Sequence, residues 1–107
     1  MSKNKSVKVL YLKGNNISGN TVVQLGKLLR LNWTITKLSL EWNCVGLDHD
    51  CFLGLCAGLA SNKGLQSMDL RNNQLTHQAV VALVSALRVN CTMKHIGKLY
   101  LYYETYR

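Results

Sequence analysis

No apolar run in this 107-residue chain approaches the roughly 18 residues that cross a bilayer as a helix, so a membrane-spanning segment is not expected. The opening residues, MSKNKSVK, are basic and polar, and no uninterrupted apolar stretch follows them. No secretory signal is read there, and the expected setting is cytoplasmic. Acidic residues are scarce, 5 Asp and Glu against 13 Lys and Arg, a formal charge of +8. That balance invites an acidic partner or nucleic acid. The basic residues nevertheless run from Lys3 to Arg107 without a dense cluster.

Chemistry-bearing motifs are missing as well. There is no phosphate-cradling glycine loop, no pair of carboxylates in a shared setting and no serine elbow. Cys44, His49, Cys51 and Cys56 are spaced C-x4-H-x-C-x4-C, without the close cysteine pairs of zinc modules. All four cysteines, Cys44, Cys51, Cys56 and Cys91, are therefore expected as free thiols that act as small apolar residues. His77 sits beside Thr76, a candidate helix cap, and reads as a surface residue; His95 falls where the sequence pattern decays. Neither a metal, a cofactor nor an enzymatic activity is expected. Three tripeptides match the glycosylation acceptor pattern, beginning at Asn16, Asn32 and Asn90, and without a secretory signal they should stay unmodified.

What is present is a repeat. Composition is 48% hydrophobic and 17% charged, ordinary for one small globular domain. Three segments share one template. The first runs Val7, Leu10, Leu12, Asn15, Ile17, the second Ile35, Leu38, Leu40, Asn43, Val45, and the third Leu65, Met68, Leu70, Asn73, Leu75. Each is followed by apolar residues three and four apart, the mark of one helix face. These are Leu25, Leu28 and Leu29, then Leu55 and Leu59, then Leu83, Ala86 and Leu87, and the helices end at Asn32, Asn62 and Asn90. Leu38-x-Leu40 puts both leucines on one side of a short strand, with Ser39 opposite. The helix then returns the chain so that the next strand lies parallel to the first. Asn15, Asn43 and Asn73 should turn inward and bond to backbone groups at the bend. Asn32, Asn62 and Asn90 are expected to end their helices in a left-handed conformation.

The blocks LYLKGNNIS, LSLEWNCVG and MDLRNNQLT resemble the leucine-rich repeat of the ribonuclease-inhibitor type. The resemblance covers about residues 7–93. It implies an open α/β solenoid with a short parallel sheet on its concave side and helices on its convex side. The expected organisation is a basic N-terminal tail (1–6), three repeats (7–34, 35–64 and 65–92) and an irregular or truncated fourth repeat (93–107). In that last stretch GKLYLYYETYR reads either as an irregular final strand or as a foreign tail. No capping unit is recognisable at either end, and the chain reads as a fragment or truncated form of a longer solenoid. A further resemblance, to a member of the family with a C-terminal coiled coil, implies a cytoplasmic, centrosome-associated scaffold.

The concave face is the expected site. Tyr11, Ser39 and Asp69 should form one lateral row and Lys13, Glu41 and Arg71 the next, with Trp42 at a strand end, on strands about 4.8 Å apart. The Lys13–Glu41–Arg71 row alternates in sign and could simply pair with itself. Trp42 has two readings, packing over a neighbouring loop or anchoring a protein partner, since exposed Trp is enriched in binding hot spots. The leading expectation is a protein partner of unknown identity. The alternative is a nucleic-acid-binding module using Lys8, Lys13, Lys37 and Arg71 with Tyr11 and Trp42 as stacking aromatics. Glu41 and Asp69 would sit in the middle of such a stripe and repel phosphate.

Overall fold

The computed structural model describes residues 7–90 and, for the backbone alone, 95–97. Strands and helices alternate: β1 (Val9–Tyr11), α1 (Asn20–Leu31), β2 (Lys37–Ser39), α2 (His49–Ser61), β3 (Ser67–Asp69), α3 (His77–Val89) and β4 (His95–Gly97). The strands form one parallel sheet in chain order. Its register joins Leu10 to Leu38, Leu38 to Met68, and Met68 to Ile96. The template leucines therefore stack unit on unit, and the backbone register carries on to Ile96 in β4. The expected tail at 1–6, the state of Cys91 and residues 98–107 lie outside the described residues.

The alternation of the strands decides what goes inside. Leu38, Leu40, Met68 and Leu70 are at most 1% exposed, and they meet Leu29, Phe52, Leu55, Leu59 and Leu83 from the helices in one core. Thr76 caps α3 through its side chain, which accepts from Ala79 N at 3.1 Å. Asp48 does the same for α2, accepting from Cys51 N. The helices α1 and α2 touch backbone to backbone: a Cβ added at Gly58 would collide with the Gly26 carbonyl, and one at Gly26 with the Gly54 carbonyl.

Two ladders of asparagine close the unit boundaries. At the strand ends, Asn43 donates to Leu12 O of the preceding unit (2.8 Å) and accepts from Asn15 N and Ile17 N (2.8 and 2.9 Å). Asn73 repeats this one unit on, donating to Leu40 O and accepting from Val45 N. At the helix ends, Asn62 donates to Leu29 O and Asn32 O, and Asn90 to Leu59 O and Asn62 O. Every amide reaches back to the unit before it, satisfying carbonyls that a bend would otherwise leave buried and unpaired.

The second ladder corrects the expectation for Asn32, Asn62 and Asn90. All three have extended backbones, with φ of −109°, −70° and −68°. Their amides turn inward and are buried, so the residue is required for its hydrogen bonds and not for a left-handed turn. The left-handed residues lie elsewhere, one of them in the expected site.

Candidate functional site

Residues of the strands that point away from the core form three lateral rows. Val9, Lys37 and Ser67 make the first and Tyr11, Ser39 and Asp69 the second, as the strand register shows. Backbone bonds from Gly14 N to Glu41 O and from Trp42 N to Arg71 O carry the same alignment on to the row of Lys13, Glu41 and Arg71. A shallow concavity is lined by Tyr11, Lys13, Lys37, Ser39, Glu41 and Asp69, with Ser67, Met68 and Arg71 around them. Six of the expected concave residues, Tyr11, Lys13, Ser39, Glu41, Asp69 and Arg71, line it, and Trp42, past the end of β2, does not. Ser67 is absent from the sequence reading of the site, and Lys37 enters it only through the nucleic-acid alternative, although the same period-two alternation that placed Tyr11 also places their row.

The charges on this face are organised around Arg71. Its Nε lies 2.9 Å from both oxygens of Asp69, and its terminal nitrogen is 2.6 Å from Asp69 and 3.8 Å from Glu41. Partial burial raises the Asp69 pKa, but Arg71's hydrogen bonds and charge, helped by Lys37, outweigh this and hold the carboxyl below its ordinary value. Lys13 makes no ion pair among the described residues. The sign-alternating row is therefore only half closed: Glu41 is drawn toward Arg71, and its Oε1 is buried with no hydrogen-bond partner among the described residues. Lys37 Nζ sits 5.6 Å from the centre of the Tyr11 ring, a cation–π distance.

Ser39 departs from a contact surface. It lies in the outward row but is only 6% exposed, because it is the small residue between Tyr11 and Asp69. It forms the floor of the concavity. Tyr11 and Trp42 are the opposite case, at 66% and 60% exposed.

Trp42 occupies an unusual backbone position. Gly14, Trp42 and Asn72 stand at the same place in the three units, and all have positive φ, +68°, +58° and +61°. The bend after each strand requires a left-handed residue there. Glycine adopts it freely and asparagine readily, whereas other L-residues pay roughly 1–2 kcal/mol for it. A bulky aromatic at such a position is strained, and residues of this sort cluster where a ligand is gripped. Most of the Trp42 side chain is open to solvent.

Three of the cysteines lie among the described residues. Cys56 is buried in the core, and burial pushes its thiol up to about 12. Burial and the nearby Asp48 and Asp50 charges also raise Cys51. Cys44, Cys51 and Cys56 are free thiols. Among the described residues no group of three His, Cys, Asp or Glu could hold a metal ion, and no helix is long and apolar enough to cross a membrane.

A family model described as Leucine Rich Repeat matches residues 6–28. The chain is 46% identical to leucine-rich repeat-containing protein 45 of Gallus gallus over 88 residues, which are 82% of this chain and 13% of that protein. It is 30% identical to NACHT, LRR and PYD domains-containing protein 5 of Homo sapiens over 94 residues, 87% of this chain and 8% of that protein. The chain thus spans a small part of the length of these relatives. Among solved structures, the leiomodin-1 actin-binding site 2 superposes with a TM-score of 0.77 at 19% identity, covering 87% of this chain and 53% of that one. This last likeness is one of fold.

Proposed function

The chain belongs to the leucine-rich-repeat family, and from that premise we propose that it is a protein-binding or scaffolding module whose partner seats on the concave sheet face. The observation that carries this reading is Trp42, an exposed tryptophan kept in a left-handed backbone where the equivalent positions hold glycine and asparagine. In the concavity of the same sheet face, Tyr11 and Lys37 offer an aromatic–cationic pair, Lys13 a cation with no ion pair among the described residues, and Glu41 a buried Oε1 with no hydrogen bond among them. Asp69 and Arg71, locked together, supply a rigid polar wall, and Ser39 its floor. A rigid polar surround with a protruding aromatic is the usual anatomy of a protein-binding hot spot. No chemistry beyond binding is ascribed to the site. The cytoplasmic setting and the centrosome association implied by the family resemblance form part of this proposal, and co-localisation of the tagged chain with a centrosomal marker tests them.

The decisive experiment is quantitative affinity capture from cytoplasmic extract with the wild type, Trp42→Asn, Glu41→Lys and, on the helical side, Val81→Lys. Asn keeps the left-handed backbone, so Trp42→Asn removes the aromatic without disturbing the bend. Proteins held by the wild type and Val81→Lys but lost by both concave variants are the expected result. Equal capture by all four proteins would move the site off this face. Glu41 and Asp69 stand amid the basic residues of the same face, so binding to a non-specific oligonucleotide should vanish by physiological salt. Tight binding that persists there would replace a protein partner with nucleic acid.

A further inference from the structure

The basic residues, dispersed along the sequence, gather in space at the edge where helices return to strands. Asn62 and Asn90 tie each helix end there to the one before, through Leu29 O and Leu59 O. Backbone bonds from Thr36 N to Lys8 O and from Gln66 N to Thr36 O do the same for the strand starts. Arg30 and Arg88 lie in the last turns of α1 and α3. Lys63 follows α2, and Lys8 and Lys37 stand where β1 and β2 begin. The described acids all belong to the opposite edge. Glu41 and Asp69 stand at strand ends, Asp48 caps α2, and Asp50 is in its first turn. Only Lys13 and Arg71 balance them there. The molecule is therefore electrically polar, with its cations concentrated at one edge and its acids at the other.

The basic edge also exposes apolar side chains. Leu31, in the last turn of α1, is 68% exposed, and Trp33, just beyond it, 52%. The Trp33 carbonyl lies against Gly64, where an added Cβ would collide with it. The Trp33 backbone is thus held by the next unit while half of the side chain stays open to solvent. Trp33 and Lys63 follow the helix-ending Asn32 and Asn62, so an aromatic and a cation hold the same place in adjacent units. Arg30, Lys63 and Arg88 form no ion pair among the described residues. A cation in a last turn complements the helix dipole, which accounts for Arg30 and Arg88. It does not account for Lys63, the lysines at the strand starts or two large apolar side chains set among them.

We infer that this edge seats the chain on the surface of a bilayer containing anionic lipid. Cations spread over three units match a plane of diffuse negative charge. Trp33 and Leu31 enter the headgroup boundary, where indole rings settle and buried apolar area adds to the electrostatic attraction. An aliphatic side chain cannot stack on a base, so Leu31 favours lipid over nucleic acid. The contact lies on the bilayer and needs no spanning helix. It is separate from the concave face and does not depend on the function proposed for that face.

Co-sedimentation of the full chain with vesicles tests this, with circular dichroism to verify each variant's fold. The wild type should bind vesicles of about three parts phosphatidylcholine to one part phosphatidylserine, bind pure phosphatidylcholine far less, and lose affinity as salt is added. Arg30→Gln with Lys63→Gln should weaken binding about thirtyfold, each cation at an anionic surface being worth about fivefold. Asp50→Asn raises the net charge at the opposite edge. It should change binding by less than about twofold, because the molecule extends 37 × 28 × 20 Å and the Debye length is about 8–10 Å. The chain has two tryptophans, so Trp42→Asn leaves Trp33 alone, and its emission should shift to the blue on binding. In Trp33→Ala the emission of Trp42 should stay where it is. Equal binding to both kinds of vesicle, or to neither, would overturn the inference. So would binding left intact by Arg30→Gln with Lys63→Gln, or a blue shift of Trp42 in place of Trp33. Tighter binding at the same salt to a polyglutamate peptide or an oligonucleotide would reassign the edge to an acidic protein or to nucleic acid.

Discussion

At the scale of single residues, the side chains that matter most are not the leucines that announce the repeat. Trp42 is expected to cost the fold something that Asn would not. Trp42→Asn should therefore raise stability by about 1 kcal/mol, the difference between a strained and a tolerated left-handed residue, read as a higher urea midpoint at unchanged slope. A variant that binds less yet folds better would mark the residue as retained for contact. Asn62 is the reverse case. Its amide holds two carbonyls, Leu29 O and Asn32 O, and two N–H groups, Gly64 N at 2.9 Å and Leu65 N at 2.6 Å. Asn62→Ala leaves these buried groups unpaired and should cost at least about 3 kcal/mol in the same unfolding experiment. Asn15→Ala, at an exposed position, should cost no more than about 0.5 kcal/mol. The sequence pointed to both series of asparagine, because their spacing is regular. It could not say which way Asn32, Asn62 and Asn90 turn, since a helix-ending asparagine serves a left-handed turn or a buried hydrogen bond equally well.

At the scale of elements, strand and helix order was readable from the change of period, two in LSL and MDL and between three and four in the helices. The packing of one helix on the next was not, because it depends on which faces meet across a unit boundary. Glycine shows this clearly. In α2, Gly54 has room for a side chain, the nearest neighbour of an added Cβ being Val23 Cγ2 at 3.8 Å. Four residues on, Gly58 faces the Gly26 carbonyl directly. Gly54→Ala should stabilise the protein by about 0.5–1 kcal/mol through helix propensity. Gly58→Ala should destabilise it by about 1–3 kcal/mol, because the helices must part. Thermal melts of the two variants should move in opposite directions. Melts that both rise would mean that α1 and α2 are further apart than described. The concave rows were legible for the same reason as the strands, apart from the row of Lys37. The left-handed bend after each strand was hidden because Gly14, Trp42 and Asn72 share no chemistry, only a backbone conformation.

At the scale of the whole molecule, stability rests on a core shared by all units. A chain of this size is held by about 5–15 kcal/mol. Leu70→Ala, at a side chain 1% exposed, should cost about 2–5 kcal/mol and so remove much of the folded population. Ser39→Ala, on the opposite face of the sheet and with no side-chain hydrogen bond among the described residues, should shift stability by less than about 0.5 kcal/mol. Circular dichroism melts that reversed this order would mean that inward and outward faces had been exchanged. The glycine contact acts at this scale too. Strands in a sheet keep a fixed spacing of about 4.8 Å, while packed helices ordinarily sit 8–10 Å apart, and that mismatch bends a solenoid. Where Gly26 and Gly58 let α1 and α2 meet, the mismatch shrinks. The next boundary places Ala86 where α2 has Gly58 and Cys56 where α1 has Gly26, side chains that hold helices apart. The first boundary should therefore bend the solenoid less than the second. Tyr11 and Trp42 belong to the two units that meet at the closer boundary, and Asp69 and Arg71 lie across the next one, so a bend concentrated there would turn the ion pair toward the aromatics.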